Sequence, residues 1–312
     1  MGRRIFWLGL AVAFGLTACD QAAPPPLTRE RAACADVGAA PAAREAACGA
    51  VLAQDGLAGA DRAAALAHRG AARRLRGDPT AAMADFNAAL ALDAEQVSAK
   101  LGRAEVLLAS GQLDAAAPMI ESLLQAPAPP ARAHYLRGEL YVRQGARASA
   151  IAEFDAAIAA DARMADAFAQ RGLARQAELD YAAAARDFDA AVRLNPRHAQ
   201  ARAGRCWNRI YQEGDLGAAH TDAEAAIAAD SGLVSAQLCR GLVMLRQENW
   251  AEARAAYDAV LTVEPVNSAA LFGRGFARRE AGERGEGAED IRRAYEFNSD
   301  IDEEFERQGV DF

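Results

Sequence analysis

The sequence lacks an excess of positive charge, and it has only four histidines. Lys100 is the sole lysine among 35 basic residues, and acidic residues give the chain a formal net charge of −8. Nucleic-acid binding needs a basic surface, which this composition does not supply. The four histidines share no metal-ligand spacing with a cysteine or a carboxylate: His68, His134, His198 and His220. We therefore predict no nucleic-acid partner and no metal site.

Motifs for catalysis are also lacking. No serine lies in a nucleophile elbow, and no glycine-rich phosphate loop follows a strand pattern. The acidic residues of 300–306 favour a helix start, where carboxylates interact well with the positive end of the helix dipole. No segment alternates apolar and polar residues as a strand would. The sequence predicts an all-α protein that is not an enzyme and holds no cofactor.

Long hydrophobic runs are confined to the N-terminus. Arg3 and Arg4 precede an apolar run over residues 5–16, which is too short to span a membrane and suits a signal-peptide core. The run ends in Leu16-Thr17-Ala18-Cys19, which resembles the lipobox of bacterial lipoproteins. The resemblance implies that residues 1–18 are removed as a signal peptide. It also implies that Cys19 carries lipid, such as palmitate, facing the periplasm. The alternative is an ordinary signal peptide with a chance cysteine at the cleavage site.

The residues after Cys19 bear on the choice of membrane. Asp20 and Gln21 resemble an inner-membrane retention signal of enteric bacteria, so the inner membrane is slightly favoured over the outer one. Residues 19–30 are predicted to form the lipidated cysteine and a linker. The three consecutive prolines 24–26 make it a stiff, extended spacer.

Four further cysteines fit an oxidising compartment, in which an even number suggests two disulfides. Cys34 and Cys48 have the spacing of a helical hairpin, and we expect them to pair. Cys206 and Cys239 could pair only if the fold brings their Cβ atoms within bonding reach. The alternative for this second pair is two buried, unreactive thiols.

A 34-residue period runs through most of the chain. The clearest repeat contains Gly138, Tyr141, Gly145, Ala150, Phe154 and Ala157. Its columns recur in the sets Gly70, Gly77, Ala82, Phe86, Ala89; Gly172, Ala184, Phe188, Ala191; Gly241, Ala253, Tyr257, Val260; and Gly275, Gly282, Ile291, Ala294. Two weaker repeats have Ala104 and Cys206 in place of the first glycine, and the second of them has Ala223 in place of the aromatic. Seven repeats therefore run from Ala63 to Ile301.

Each repeat has the pattern of two helices. Residues such as Ala150, Phe154 and Ala157 share one helix face, and Gly145 supplies the positive φ that ends the first helix. These columns resemble the tetratricopeptide repeat (TPR), a 34-residue helical hairpin. The resemblance implies a right-handed superhelical solenoid of about seven hairpins with terminal caps. We assign residues 31–62 to an N-terminal cap holding the Cys34–Cys48 disulfide, 63–301 to the repeats and 302–312 to a C-terminal capping helix.

The TPR resemblance also implies a binding groove, because the first helix of each repeat lines a concave surface. Its early part is polar: His68, Arg74, Glu105, Arg132, Tyr135, Glu139, Arg143, Gln170 and Gln176. Its later part is apolar and edged by arginines: Trp207, Leu238, Leu242, Arg246, Phe272, Phe276 and Arg279. Aromatic residues with arginine are typical of interface hot spots, so we predict the later part to be the protein-binding site.

Two questions stay open at this point. The apolar residues could instead be core, or could be covered by the chain's own end through Val310 and Phe312. The function we expect is a scaffold or adaptor that is tethered in the cell envelope and binds a protein or peptide. The alternative function is a carrier of a small apolar ligand or lipid in the same groove.

Overall fold

The structure, a computed structural model, describes residues 26–310 and is all-helical over that range. The helices are α1 (Pro26–Ala35), α2 (Pro41–Leu52), α3 (Gly59–Leu75), α4 (Pro79–Leu92), α5 (Val97–Ala109), α6 (Leu113–Leu124), α7 (Ala131–Arg143), α8 (Arg147–Ala160), α9 (Ala165–Ala177), α10 (Tyr181–Leu194), α11 (Ala199–Tyr211), α12 (Leu216–Ala229), α13 (Val234–Arg246), α14 (Trp250–Val263), α15 (Ser268–Glu280), α16 (Arg284–Phe297) and α17 (Ile301–Arg307). Repeats 1 to 7 are the successive hairpins α3/α4 to α15/α16. The predicted fold class, an all-α repeat solenoid, is confirmed.

The turn inside each hairpin has one residue with a positive φ. Glycine supplies it in four repeats, at Gly77, Gly111, Gly145 and Gly282. In repeats 4, 5 and 6 the same position is held by Leu179, Glu213 and Glu248, with φ of 62°, 53° and 58°. Such a conformation is uncommon for residues with a side chain, so the hairpin geometry overrides the preference of these three residues.

The chain divides into two compact bodies. The N-terminal body reaches Gly102, and the C-terminal body starts at Arg103. In the first body a disulfide joins Cys34 of α1 to Cys48 of α2, with Cα atoms 4.7 Å apart. Both sulfurs are buried against Val51 and Ala65. The disulfide thus joins the two helices of the N-terminal cap and packs against Ala65 in the first helix of repeat 1.

Two predicted boundaries need correction. The linker predicted for residues 19–30 is too long, because Pro26 already begins α1 and proline fits the first helical position. Repeat 1 begins at Gly59 rather than at Ala63, because the repeat columns mark where helices touch and not where they start. The lipidation residue Cys19 and the terminal Phe312 lie outside the described residues.

A large ring in the second helix packs between glycines of two successive first helices. Phe188 is fully buried, and a Cβ added to Gly172 or Gly204 would lie 2.8 or 2.5 Å from its Cε1. Tyr257 packs in the same way between Gly241 and Gly273. The small residues of the repeat therefore leave room for a ring, as the columns predict.

Repeat 5 fills this space differently. Ala223 occupies the ring position, and the two flanking glycines are replaced by Cys206 and Cys239. The two sulfurs are bonded, with Cα atoms 6.4 Å apart, and all three residues are fully buried. The disulfide thus takes the place that an aromatic ring has in repeats 4 and 6.

Buried aspartates form a second element that recurs along the chain. Asp85, Asp187, Asp222 and Asp290 are each at most 3% exposed and each accept hydrogen bonds from two or more arginines of the preceding helix. The hydrogen bond to Asp290 raises the pKa of Arg274, so that guanidinium stays charged. Arg274 also donates to Asp258 of the preceding repeat at 2.8 Å. These ion pairs therefore link helices both within and between repeats.

Candidate functional site

The first helices of the C-terminal body pack on one another in succession and form a shared surface. We call the surface formed by α7, α9, α11, α13 and α15 the first-helix face. Each of the first four of these helices contacts the first helix of the next repeat, so the five lie side by side. All the residues of the predicted apolar groove belong to this surface.

The apolar end of the first-helix face is covered by α17. Phe305 of α17 packs on Phe272 of α15 with ring centroids 4.9 Å apart. Ile301, Phe305 and Val310 are all buried in one cluster with Leu242 and Phe276. Of the two alternatives that the sequence leaves open, the structure has the self-covered one.

The seven predicted groove residues divide into three groups. Leu242, Phe272 and Phe276 are at most 5% exposed, so they are core residues and not an open binding surface. The prediction of an open surface is corrected because Phe305 of α17 packs on Phe272 and Trp250 of α14 packs on Phe276. Trp207 and Leu238 are half-buried at the edge of the same cluster. The two arginines bound the covered region, Arg246 beside Gly309 of the tail and Arg279 over the ring of Phe276.

Next to α17 the first-helix face stays open as a cavity of about 640 Å³. Its walls come from α9, the start of α10, the end of α11, and α17. The lining residues are Leu173, Gln176, Ala177, Leu179, Tyr181, Tyr211, Glu304, Arg307 and Gln308. This volume lies within the roughly 300–1,000 Å³ of ordinary ligand sites.

Aromatic rings are stacked along one wall of this cavity. The rings of Tyr181 and Tyr211 are stacked with centroids 5.3 Å apart, and Trp207 stacks on Tyr211 at 6.0 Å. The Trp207 indole is fixed by a 2.9 Å hydrogen bond from its Nε1 to the carbonyl of Ser235. Burial, together with the nearby negative charge of Glu304, raises the pKa of Tyr211. Tyr211 therefore keeps its proton and an electron-rich ring at neutral pH.

A second, smaller cavity lies beneath α17. It has a volume of about 140 Å³ and is lined by Trp207, Tyr211, Leu238, Leu242, Tyr257, Ala269, Glu304, Phe305 and Gln308. The Tyr257 hydroxyl is buried and lacks a hydrogen-bond partner in the described part of the chain. Burial raises the pKa of Tyr257, which is therefore neutral. The volume is below the roughly 300 Å³ at which small-molecule sites begin, so the cavity offers no room for a lipid.

At the other end of the first-helix face, the predicted polar residues pair with one another. Arg132 donates to Glu105 at 2.7 Å and to Asp166 at 3.4 Å, and it lies 4.4 Å from the ring centroid of Tyr135. The hydrogen bond from His198 lowers the pKa of Asp166, and burial raises the pKa of Glu139. These charged side chains pair with one another, so this region has fewer polar groups left for a partner than the cavity has.

The sequence did not single out Tyr181, Tyr211, Glu304 or Gln308 as site residues. Tyr181 starts a second helix, and α17 follows the last repeat, so neither falls in a first-helix column. A signal was available in the spacing of Ile301 and Phe305, which puts both on one helix face. In residues 26–310 no three histidine, cysteine or acidic side chains are grouped so as to hold a metal ion.

Among residues 26–310, no helix combines the length and the apolar character needed to cross a membrane.

Comparison with known proteins supports the repeat assignment. The tetratricopeptide repeat model matches residues 101–165, 211–261 and 238–300. No curated protein matches the sequence. These matches fall on repeats 2 and 3 and on repeats 5 to 7, which include the weaker repeats.

Solved structures share the fold at low sequence identity. A chain of the APC/C hetero-tetramer Cut9-Hcn1 aligns with a TM-score of 0.62 and 13% identity over 87% of this chain. This chain spans only 53% of that one, about half its length. Human IFIT1, crystallised as a dimer with PPP-AAAA, gives a TM-score of 0.58 and 17% identity over 82% of this chain and 68% of its own. A tetratricopeptide repeat protein from Parabacteroides merdae ATCC 43184 gives 0.52 and 18% over 79% of this chain and 98% of its own. At these identities the likeness concerns the fold alone.

Three observations therefore agree. Hairpins with a 34-residue period run from α3 to α16, rings pack between small residues of successive first helices, and a family model matches all or part of five repeats. The chain belongs to the tetratricopeptide repeat family.

Proposed function

We propose that this chain is a non-catalytic scaffold or adaptor of the bacterial cell envelope that binds a protein or peptide through the open cavity of its first-helix face. The observation that carries the proposal is the cavity of about 640 Å³ between α9, α11 and α17, with exposed Leu179 at its rim. Repeat proteins of this kind use such surfaces for protein–protein interaction. Tyrosine and tryptophan are enriched in interface hot spots, so the stacked Tyr181, Tyr211 and Trp207 beside the cavity favour a protein partner.

The covered end of the face supports the same function. There α17 lies on α13 and α15 with Phe305 and Val310 inserted among apolar side chains. The first-helix face thus already holds one short helix, which belongs to the chain itself. A segment of a partner that continues along the face from α17 would meet the open cavity next.

Site-specific photo-cross-linking tests this proposal. A benzoylphenylalanine at Leu179, which is 69% exposed, should capture envelope proteins in intact cells. The same probe at Val263, 62% exposed at the end of the second helix α14, should give severalfold less adduct because it lies away from the first-helix face. Equal adduct yields at the two positions, or none at either, would remove the cavity as the binding surface.

The envelope tether is proposed from the sequence Leu16-Thr17-Ala18-Cys19. Several acyl chains on one residue hold a protein firmly to a membrane, whereas one chain does so only marginally. We expect Cys19→Ser to abolish labelling with palmitate and to release the protein from the membrane fraction. Persistence of labelled lipid on the Cys19→Ser protein would show that the lipobox interpretation is wrong.

A further inference from the structure

We propose that the open cavity receives an arginine or lysine side chain of the bound segment. The inference rests on the proposed function and specifies the partner's chemistry at that site. It is carried by four features of the cavity: an unpartnered amide oxygen, a wall of tyrosine rings, an unpaired carboxylate and apolar surface at the rim.

The first feature is the amide oxygen of Gln176. Its Oε1 atom is buried and has no hydrogen-bond partner within residues 26–310, although the side chain lines the cavity. Buried acceptors in native proteins are nearly always satisfied, so an orphaned one calls for a donor. Lysine and arginine side chains carry only donors, three and five N–H groups respectively.

The second feature is the stacked wall of Tyr181 and Tyr211. The faces of aromatic rings attract cations, and arginine is the side chain that most often exploits this. The high pKa of Tyr211 keeps its hydroxyl neutral, so the ring system itself carries no charge at neutral pH. Because Tyr211 stacks with both Trp207 and Tyr181, the ring that offers a face to a cation is Tyr181, at the end of the stack.

The third feature is the charge on α17. Glu304 lines the cavity and accepts a 3.3 Å hydrogen bond from Gln308, but no cation pairs with it in the described part of the chain. The cavity also contains Arg307, which lies 3.8 Å from Glu303. Arg307 and Glu303 are both strongly exposed, so water screens the charge of Arg307, whereas Glu304 is half-buried and its charge is screened less. This imbalance favours a cationic over an anionic side chain.

The fourth feature is the apolar rim formed by Leu173 and Leu179. Long basic side chains lay their methylene stems along apolar surface and keep the charged head at a polar site. Leu179 holds a position that is glycine in four other repeats, has a φ of 62° and exposes 69% of its surface to solvent. Leu179 therefore offers exposed apolar surface at the rim along which such a stem can lie.

The experiment is a peptide-display selection against the full-length chain purified in detergent, with a random nine-residue library as the probe. The retained peptides should be enriched in arginine or lysine relative to the input. For a selected arginine peptide, replacing the arginine by neutral citrulline should raise Kd about tenfold, which corresponds to about 1.4 kcal/mol. Glu304→Gln should raise Kd by a similar factor and should add little once the peptide carries citrulline.

Glu306→Gln is the matched control, because Glu306 is an exposed glutamate on the same helix that does not line the cavity. It should leave Kd within about twofold, since an exposed charge away from the ligand contributes little. Retained peptides without basic enrichment, or equal effects of Glu304→Gln and Glu306→Gln, overturn the inference while the peptide-binding function stands. Failure to retain any peptide overturns both.

Discussion

Replacing Asp187 by alanine should lower the free energy of unfolding by about 3–5 kcal/mol, because it removes the buried carboxylate that two half-buried arginines share. Asp187 is 2% exposed. It accepts hydrogen bonds from Nη2 and Nε of Arg171 at 2.5 and 3.0 Å and from Nη1 of Arg175 at 2.8 Å. Neither arginine can lose its proton. The carboxylate that stays near them in the variant, Asp155, is 50% exposed and compensates their charge less well than Asp187 does.

Asp189→Ala is the control on the same helix. Asp189 pairs with Arg205 at 2.8 Å, but its side chain is 59% exposed. An exposed ion pair contributes about 0–1 kcal/mol, so this variant should unfold close to the wild type in urea. Equal losses in the two variants would mean that the Asp187 site is not buried in solution.

The repeat columns predicted the fold because every hairpin has the same local packing requirements. A glycine such as Gly172 marks the place where a ring approaches the backbone, and a glycine such as Gly145 marks a positive φ. The exact turn residue was less predictable in repeat 5. Its sequence offers Gly214, yet the positive φ falls on Glu213. The length of the hairpin determines which residue takes the positive φ, whether or not that residue is a glycine.

The arginine–aspartate pairs were missed although their spacing is regular. Asp187 follows Arg171 and Arg175 by 16 and 12 residues, and Asp290 follows Arg274 and Arg278 by the same intervals. Charged residues are usually exposed, so composition alone gives no reason to place an aspartate in a core. The signal lies in the pairing, since the aspartate directly precedes the large residue of the column.

The candidate site could be predicted only in part, because a partner and the chain's own end compete for the same apolar surface. The sequence predicted a protein-binding groove at the apolar first-helix residues and left open whether they are core or covered by the chain's own end. Phe305 competes with any partner as an intramolecular group, and its local concentration is set by the short connection between α16 and α17. Such a choice depends on distances in the folded chain. The open cavity beside α17 therefore emerges only from the structure.

The disulfide in repeat 5 leads to the second large effect. Replacing both Cys206 and Cys239 by alanine should lower the free energy of unfolding by about 3–4 kcal/mol, the loop-closure value for a bridge across this separation. The sulfurs also fill the space that a ring fills in neighbouring repeats, so their loss leaves a cavity next to Ala223. Unfolding in guanidinium chloride of the oxidised protein, with free thiols counted beforehand, measures the difference.

Because the disulfide and an aromatic ring would fill the same space, we expect the effect of Ala223→Phe on the free energy of unfolding to depend on whether the disulfide is present. In the wild type, Ala223→Phe should destabilise by about 1–3 kcal/mol, because the disulfide already occupies the site and the ring is overpacked. In a chain with Cys206→Gly and Cys239→Gly, the ring gains the two-glycine site that Phe188 has, and Ala223→Phe should stabilise by about 2–3 kcal/mol. Coupling of this kind between contacting residues is what a double-mutant cycle detects. If Ala223→Phe has the same sign in both backgrounds, the disulfide does not stand in for the ring. A reversal of sign would show that in repeat 5 the disulfide fills the volume that an aromatic ring fills in the neighbouring repeats.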